Sequence, residues 1–289
     1  MIQKIVSSFS FMVILAIVLG AITGGFPVYS NEIATVALLI AMIVSMTSVS
    51  LKNVDIREEK KGFFYAFLIN FGFLSFLTLL LGFFFFGQKE LWEGFVVMAA
   101  VPPAIAIVPL TKILRGDTTF SLFSILLLYI SSLFLTPLFI FIFLSKEIDI
   151  FGLLQTTFLL ILLPLLISRF IKIKLDTSLI SNFCFFIVVF AMIGSNREFL
   201  FKEWEILLPL SVALFIRTFG SGSIVKFIGK KLKVRESRII SYSLFASFKN
   251  DGLAMILASS LFSARAAFPA LLAIVFEMMW MCCLEAKIV

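Results

Sequence analysis

Histidine is absent from this 289-residue chain, and only 14% of its residues are charged. Without histidine the chain lacks the commonest metal ligand and the usual proton shuttle near neutral pH. Cysteine is scarce, and Cys184, Cys282 and Cys283 all fall inside apolar stretches. They read as small core residues, not as disulfides or metal ligands. Long polar segments are missing too, so no loop can hold a soluble domain. Ser121, Ser124, Ser131 and Ser132 have no histidine to activate them, which leaves nucleophilic hydrolysis without support. No metal, cofactor or catalytic motif is present, and the reading is not an enzyme.

What the chain has is apolar surface. Hydrophobic residues make up 61%, against about 45–50% in soluble domains. An all-α polytopic membrane protein follows. A span needs about 20 apolar residues. The sequence predicts about ten: Phe9–Gly25, Ile33–Leu51, Gly62–Phe86, Leu91–Leu114, Thr119–Leu144, Ile150–Arg169, Ser178–Ser195, Trp204–Phe227, Arg238–Leu261 and Ala264–Cys283. The first apolar run leads into Gly24-Gly25 without a cleavage motif, so no cleavable signal is expected. The net charge of +7 reports topology and not nucleic-acid binding. Basic residues such as Lys60, Lys61, Arg115, Lys230, Lys231 and Arg235 gather in the even-numbered loops. The opposite loops hold only Lys89, Lys146, Arg197, Lys202 and Arg265. The positive-inside rule then puts both termini in the cytoplasm of a cell inner membrane.

The fourth and ninth spans are interrupted. One contains Pro102-Pro103, then Pro109; the other contains Lys249-Asn250-Asp251-Gly252. A broken helix survives in a bilayer only where protein or a wet cavity satisfies its freed backbone groups. A matched pair of breaks, one per half, is the sequence pointer to the substrate site of an inverted-repeat transporter. The chain divides into residues 1–145 and 146–289, two repeats of five spans each, and an odd number per repeat inverts the second against the first.

Further readings attach to particular residues inside spans. Lys249 is either a substrate-binding cation or one partner of a structural pair with Asp251 or Glu277; intramembrane charges are functional by default. Asn250 and Gly252 tolerate local unwinding. The half-helix that follows turns its positive end to the midplane, which favours anions. Arg217 either snorkels to the headgroups or lines a polar path. Glu277 titrates to couple protons, or neutralises Lys249 or Arg217. Asn70 is a site residue or inter-helix glue. Phe83-Phe84-Phe85-Phe86 reads as lipid-facing bulk.

Two stretches resemble the bile acid:sodium symporter family. One runs from Ala99-Ala100-Val101-Pro102-Pro103 through Leu114-Arg115-Gly116-Asp117-Thr118-Thr119-Phe120-Ser121 to Leu135-Thr136-Pro137. The other runs from Lys249-Asn250-Asp251-Gly252-Leu253-Ala254 to Pro269. Met46 to Asp55 also resembles the family's second span. The resemblance implies a core domain with crossed broken helices 4 and 9, a smaller panel domain, and transport of organic anions by alternating access. It also implies two sodium sites, and there the sequence departs. The family's Ser-Asn pair reads Ile107-Val108, its fifth-span hydroxyls read approximately Leu128 and Tyr129, its Glu reads Phe245 and its Gln reads Lys249. Asn70 alone keeps a carbonyl oxygen. Apolar side chains cannot ligate sodium, and an ammonium at 4 Å would repel it by about 4 kcal/mol at an effective dielectric of 20. The related auxin-efflux-type carriers work without sodium. The expectation is therefore a sodium-independent secondary transporter of a small organic anion. It would lie in the lipid bilayer, with Lys249, Asn250, Asp251, Pro102, Pro103 and Asn70 around the substrate and Glu277, Asp251 and Arg217 as coupling or ion-pair residues. The rival is a non-transporting membrane sensor or scaffold on the same fold.

Overall fold

The computed structural model describes residues 9–47, 56–144, 150–171 and 177–286. The proposed repeat boundary at 145/146 and most of the Met46 to Asp55 stretch lie outside these residues. All regular structure among the described residues is helical. The elements are α1 (Phe9–Thr23), α2 (Ser30–Thr47), α3 (56–83), α4 (Lys89–Ala100), α5 (Ile107–Ile113), α6 (Thr118–Leu144), α7 (150–170), α8 (Thr177–Ser195), α9 (Arg197–Lys202), α10 (Trp204–Lys231), α11 (Glu236–Ser247), α12 (Asp251–Leu261) and α13 (Phe268–Glu285). Six helices are long and apolar enough to cross a membrane, and two shorter apolar ones lie at Phe11–Thr23 and Leu179–Ser195.

The surface is apolar where a soluble protein's would be charged. Phe83, Phe84, Phe134, Phe151, Phe170 and Phe227 are all well exposed, as lipid contact requires and water would penalise. In the Phe83–Phe86 run only Phe85 is buried. Cys184 is buried, but Cys282 is exposed, which corrects its reading as a core residue. In this chain outward-facing apolar residues meet lipid, so an apolar neighbourhood in sequence does not imply the interior.

Two sets of helices pack separately. α8 lies along both α1 and α2, and α7 lies against α2. The α1–α2 turn has left-handed glycines, Gly24 at φ 84° and Gly25 at φ 72°. A side chain on Gly194 of α8 would strike the Gly25 backbone, so these segments touch main chain to main chain. In the other set α4 runs beside the C-terminal part of α3 and beside α6, while α12 packs on α13 and α4. The sets meet where α6 runs against α7, where α13 touches α8, and where α12 contacts α2 and α7. There a Cβ on Gly252 would lie 2.9 Å from Phe185 of α8 and 3.5 Å from Leu38 of α2.

Three helices carry a π-helical stretch: Leu68–Leu74 in α3, Phe158–Leu162 in α7 and Ile216–Gly220 in α10. Such stretches are rare and cluster at functional sites. Two of them carry the polar residues that reach the helix breaks, Asn70 and Arg217.

Candidate functional site

The first break follows from proline chemistry. The last helical bond of α4 runs from the Val101 N–H to the Val97 carbonyl, at 3.1 Å. Pro102 and Pro103 have no N–H. In helical register Pro103 would have served the Ala99 carbonyl, so that oxygen is left free. Pro109, counted with the interruption on sequence grounds, instead falls in the first turn of α5, where a missing donor costs nothing.

Four carbonyls at this break are satisfied from outside the helix. The Ala99 oxygen accepts from Ser75 Oγ at 2.6 Å and from Lys249 Nζ at 3.1 Å. Ala100 accepts from Thr136 Oγ1 at 2.8 Å. Val101 accepts from Lys249 Nζ at 2.9 Å. Pro102 accepts from the Asn250 N–H at 2.8 Å. That last bond joins the two breaks directly. Leaving such groups unmet in a dry interior costs about 1–3 kcal/mol each.

The second break has its donors and redirects them. α11 ends with Phe248 N–H on Leu244 at 3.0 Å. The Lys249 N–H then turns to Glu277 Oε1 at 3.1 Å. The carbonyl it deserts, Phe245, accepts from Asn70 Nδ2 at 2.8 Å, and Phe248 accepts from the same amide at 3.3 Å. Asn250 caps α12: its Oδ1 accepts from the Leu253 N–H at 3.0 Å. Its Nδ2 donates to the Tyr129 hydroxyl at 2.7 Å.

Four ionisable groups lie buried here: Lys249, Arg217, Asp251 and Glu277. Arg217 grips Asp251 with two nitrogens, at 3.0 and 3.3 Å, and reaches Glu277 at 3.3 Å. Paired forks of this kind are the strong form of the contact. Arg217 is fully buried and does not snorkel; the carboxylates hold it inward. Lys249 is fully buried as well, but its ammonium pairs with no carboxylate among the described residues. That corrects the pairing of Lys249 with Asp251 or Glu277: Arg217 takes both acids. The ammonium donates to Ser75 Oγ at 3.0 Å and to the Ala99 and Val101 carbonyls, and lies 4.4 Å from the Phe71 ring centre. An ammonium has three N–H donors, and all are used. In this conformation Lys249 offers an anion its field and no hydrogen bond.

The structure thus brings Lys249, Asn250, Asp251, Pro102, Asn70, Arg217 and Glu277 into one cluster, with Pro103 buried beside it. The sequence reading missed Ser75 and the hydrogen-bonding roles of Tyr129 and Thr136. Ser75 carried one usable signal, a hydroxyl five residues past Asn70 in an otherwise apolar span. Asn70 Oδ1 is buried without a donor, and among the described residues no group of side chains forms a metal cluster. Away from the cluster, a cavity of about 610 Å³ opens between the C-terminal end of α8, α9, Glu90 of α4 and the Ser263–Arg265 turn. Arg265 there bridges Glu203 and Glu90.

Comparison with family models matches residues 32–197 to the one described as the Sodium Bile acid symporter family, more than half of the chain. Comparison with curated proteins finds no match.

Proposed function

The chain belongs to the sodium bile acid symporter family, and from that premise we propose that it moves a small organic anion by alternating access without sodium. Family membership makes it a multi-pass membrane transporter of the bile-acid or organic-anion type and not an enzyme. The sodium-independent reading rests on one observation above all. A covalently tethered cation, the Lys249 ammonium, sits in an oxygen cradle at the crossing of the two breaks. A second cation, Arg217, is fixed beside it by two acids. Fixed charge in that place makes a mobile cation redundant, and repels one.

The anion's place in this reading is beside Asn250 and Gly252, at the start of α12. There the positive end of the half-helix faces the α2–α8 packing surface, and the fields of Lys249 and Arg217 add to it. Asp251 and Glu277 are the residues through which proton coupling would run. We read the span count as ten, with α4/α5 and α11/α12 each forming one broken span. The halves are inverted repeats, and the third span of each carries its polar residue in a π-helical stretch. α1, α2, α7 and α8 form the panel, and the remaining helices the core. With both termini cytoplasmic in an inner membrane, the cavity beside Arg265 opens to the outer side, between panel and core.

Thermal unfolding of the purified protein in sodium, potassium and choline chloride tests the reading. A ligand specific to the folded state stabilises it by mass action. The expected result is no difference between the salts. A saturable rise in Tm with sodium alone overturns it.

A further inference from the structure

The cradle around the Lys249 ammonium is a site in its own right. Three oxygens converge on Nζ: Ser75 Oγ at 3.0 Å, the Ala99 carbonyl at 3.1 Å and the Val101 carbonyl at 2.9 Å. Two of these are main-chain carbonyls at the C-terminal end of α4, the negative end of a helix dipole. The face of Phe71, with its ring centre 4.4 Å away, adds a negative quadrupole. The cradle itself holds no carboxylate, since Asp251 and Glu277 are both engaged by Arg217.

Carbonyl dipoles without carboxylates are the donor set with which proteins hold single-charged cations. A divalent ion calls for carboxylates and more ligands. The donors are also there for a reason independent of the lysine. Pro103 removes the helical partner of the Ala99 carbonyl whatever residue occupies position 249. Ser75 Oγ also lies 3.2 Å from the Asn70 main-chain carbonyl, so its one proton is shared between that oxygen and the nearer Ala99 carbonyl. The spacings are those of an ammonium ion, which potassium approaches in size and sodium does not.

We propose that the C-terminal end of α4, with Ser75 and Phe71, is a monovalent-cation site of ammonium or potassium size, filled in the native chain by Lys249. Shortening that side chain opens the site to free cations of the same size. The inference rests on the tethered cation of the proposed function, but its test reads a variant, whereas that reading is tested on the wild type.

The experiment follows thermal unfolding of full-length Lys249→Ala in choline, sodium, potassium, ammonium and n-propylammonium chloride at equal ionic strength. n-Propylammonium replaces the atoms that the substitution removes; choline has no N–H and is too bulky. The expected result is a saturable upward shift in Tm with n-propylammonium, ammonium and potassium, a smaller one with sodium and none with choline. Adding Ser75→Ala to Lys249→Ala removes a ligand and should abolish or weaken the shift. Recovery of folded Lys249→Ala only when it is synthesised with one of the favoured cations supports the site equally. A Tm that is the same in all five salts overturns it. Lys249→Ser, whose hydroxyl can hold one freed carbonyl, provides a second variant if Lys249→Ala is not recovered. Recovery of neither variant in any of the salts also overturns the proposal. Sodium stabilisation of the wild type would count against the proposed function and not against this site.

Discussion

The two breaks solve opposite problems. At Pro102-Pro103 the chain has lost donors, and the freed carbonyls draw hydroxyls, a main-chain N–H and an ammonium from other helices. At Lys249–Asp251 the donors exist and are sent elsewhere, one to Glu277 and one to Pro102. The first break contains no ionisable residue. The second supplies Lys249 and Asp251, and Arg217 and Glu277 gather around it. The difference teaches that neither break is stable alone. Lys249 belongs to the second break by sequence and to the first by contact, and its side chain crosses between them.

The comparison breaks most visibly at Arg217. Arg217→Met leaves Asp251 and Glu277 buried without their cation, and removing one partner of a buried pair typically costs about 3–5 kcal/mol. The expected outcome is a large fall in Tm or in recovered protein, only partly relieved by Arg217→Lys, which cannot form the two-nitrogen grip.

Next comes Lys249. Lys249→Met keeps the bulk and withdraws the donor from the Val101 carbonyl, weakening the set on Ala99 and Ser75. About 1–3 kcal/mol is expected for each group left unmet. Lys249→Gln, which retains N–H donors, should unfold above Lys249→Met. On the proposed function both lower anion affinity, measurable by titration once a substrate is in hand. Unchanged affinity with a lowered Tm would make Lys249 purely structural.

A double-mutant cycle sharpens the link between the breaks. Pro103→Ala returns a donor near the Ala99 carbonyl, so Lys249→Met should cost less in that background. The coupling expected for neighbours is about 0.5–3 kcal/mol; additive effects would separate the lysine from the prolines. The smallest effect lies far from both breaks. Lys202 and Glu198 pair at 2.9 Å on an exposed turn, and Lys202→Ala should leave Tm unchanged.

Periodicity-free markers made much of this legible. Adjacent prolines and a Lys-Asn-Asp-Gly run inside apolar spans are conspicuous because a bilayer tolerates neither cheaply. Lys249, Asp251, Glu277, Arg217 and Asn70 stand out for the same reason. Their pairing was not legible. Which acid meets which base depends on helix rotation and depth. Arg217, a few residues from the predicted end of its span, fitted the headgroups as well as the interior until the π-helical stretch and the two carboxylates fixed it. Ser75 and Thr136 were obscure because a Ser or Thr hydroxyl in a membrane helix ordinarily bonds back to its own turn, as Thr78 does to Leu74. The tertiary position of the proline break gives Ser75 and Thr136 another role, while the Tyr129 hydroxyl is met by the Asn250 amide of the second break. Pro109 misled because its cost depends on where the new helix starts.

A cation bonded to the chain never crosses the membrane, and that limits the electrochemical work available. A transporter that carries sodium inward draws on the sodium gradient at every turnover. On the proposed function Lys249, anchored at the crossing, stands in for that ion and brings no such work to the cycle. For a lone anion the membrane potential, negative inside, then favours the outward direction by about 2.3 kcal/mol per charge for each 100 mV. Release from the cell would need no partner, whereas accumulation against that field would require protons or a countermoving anion.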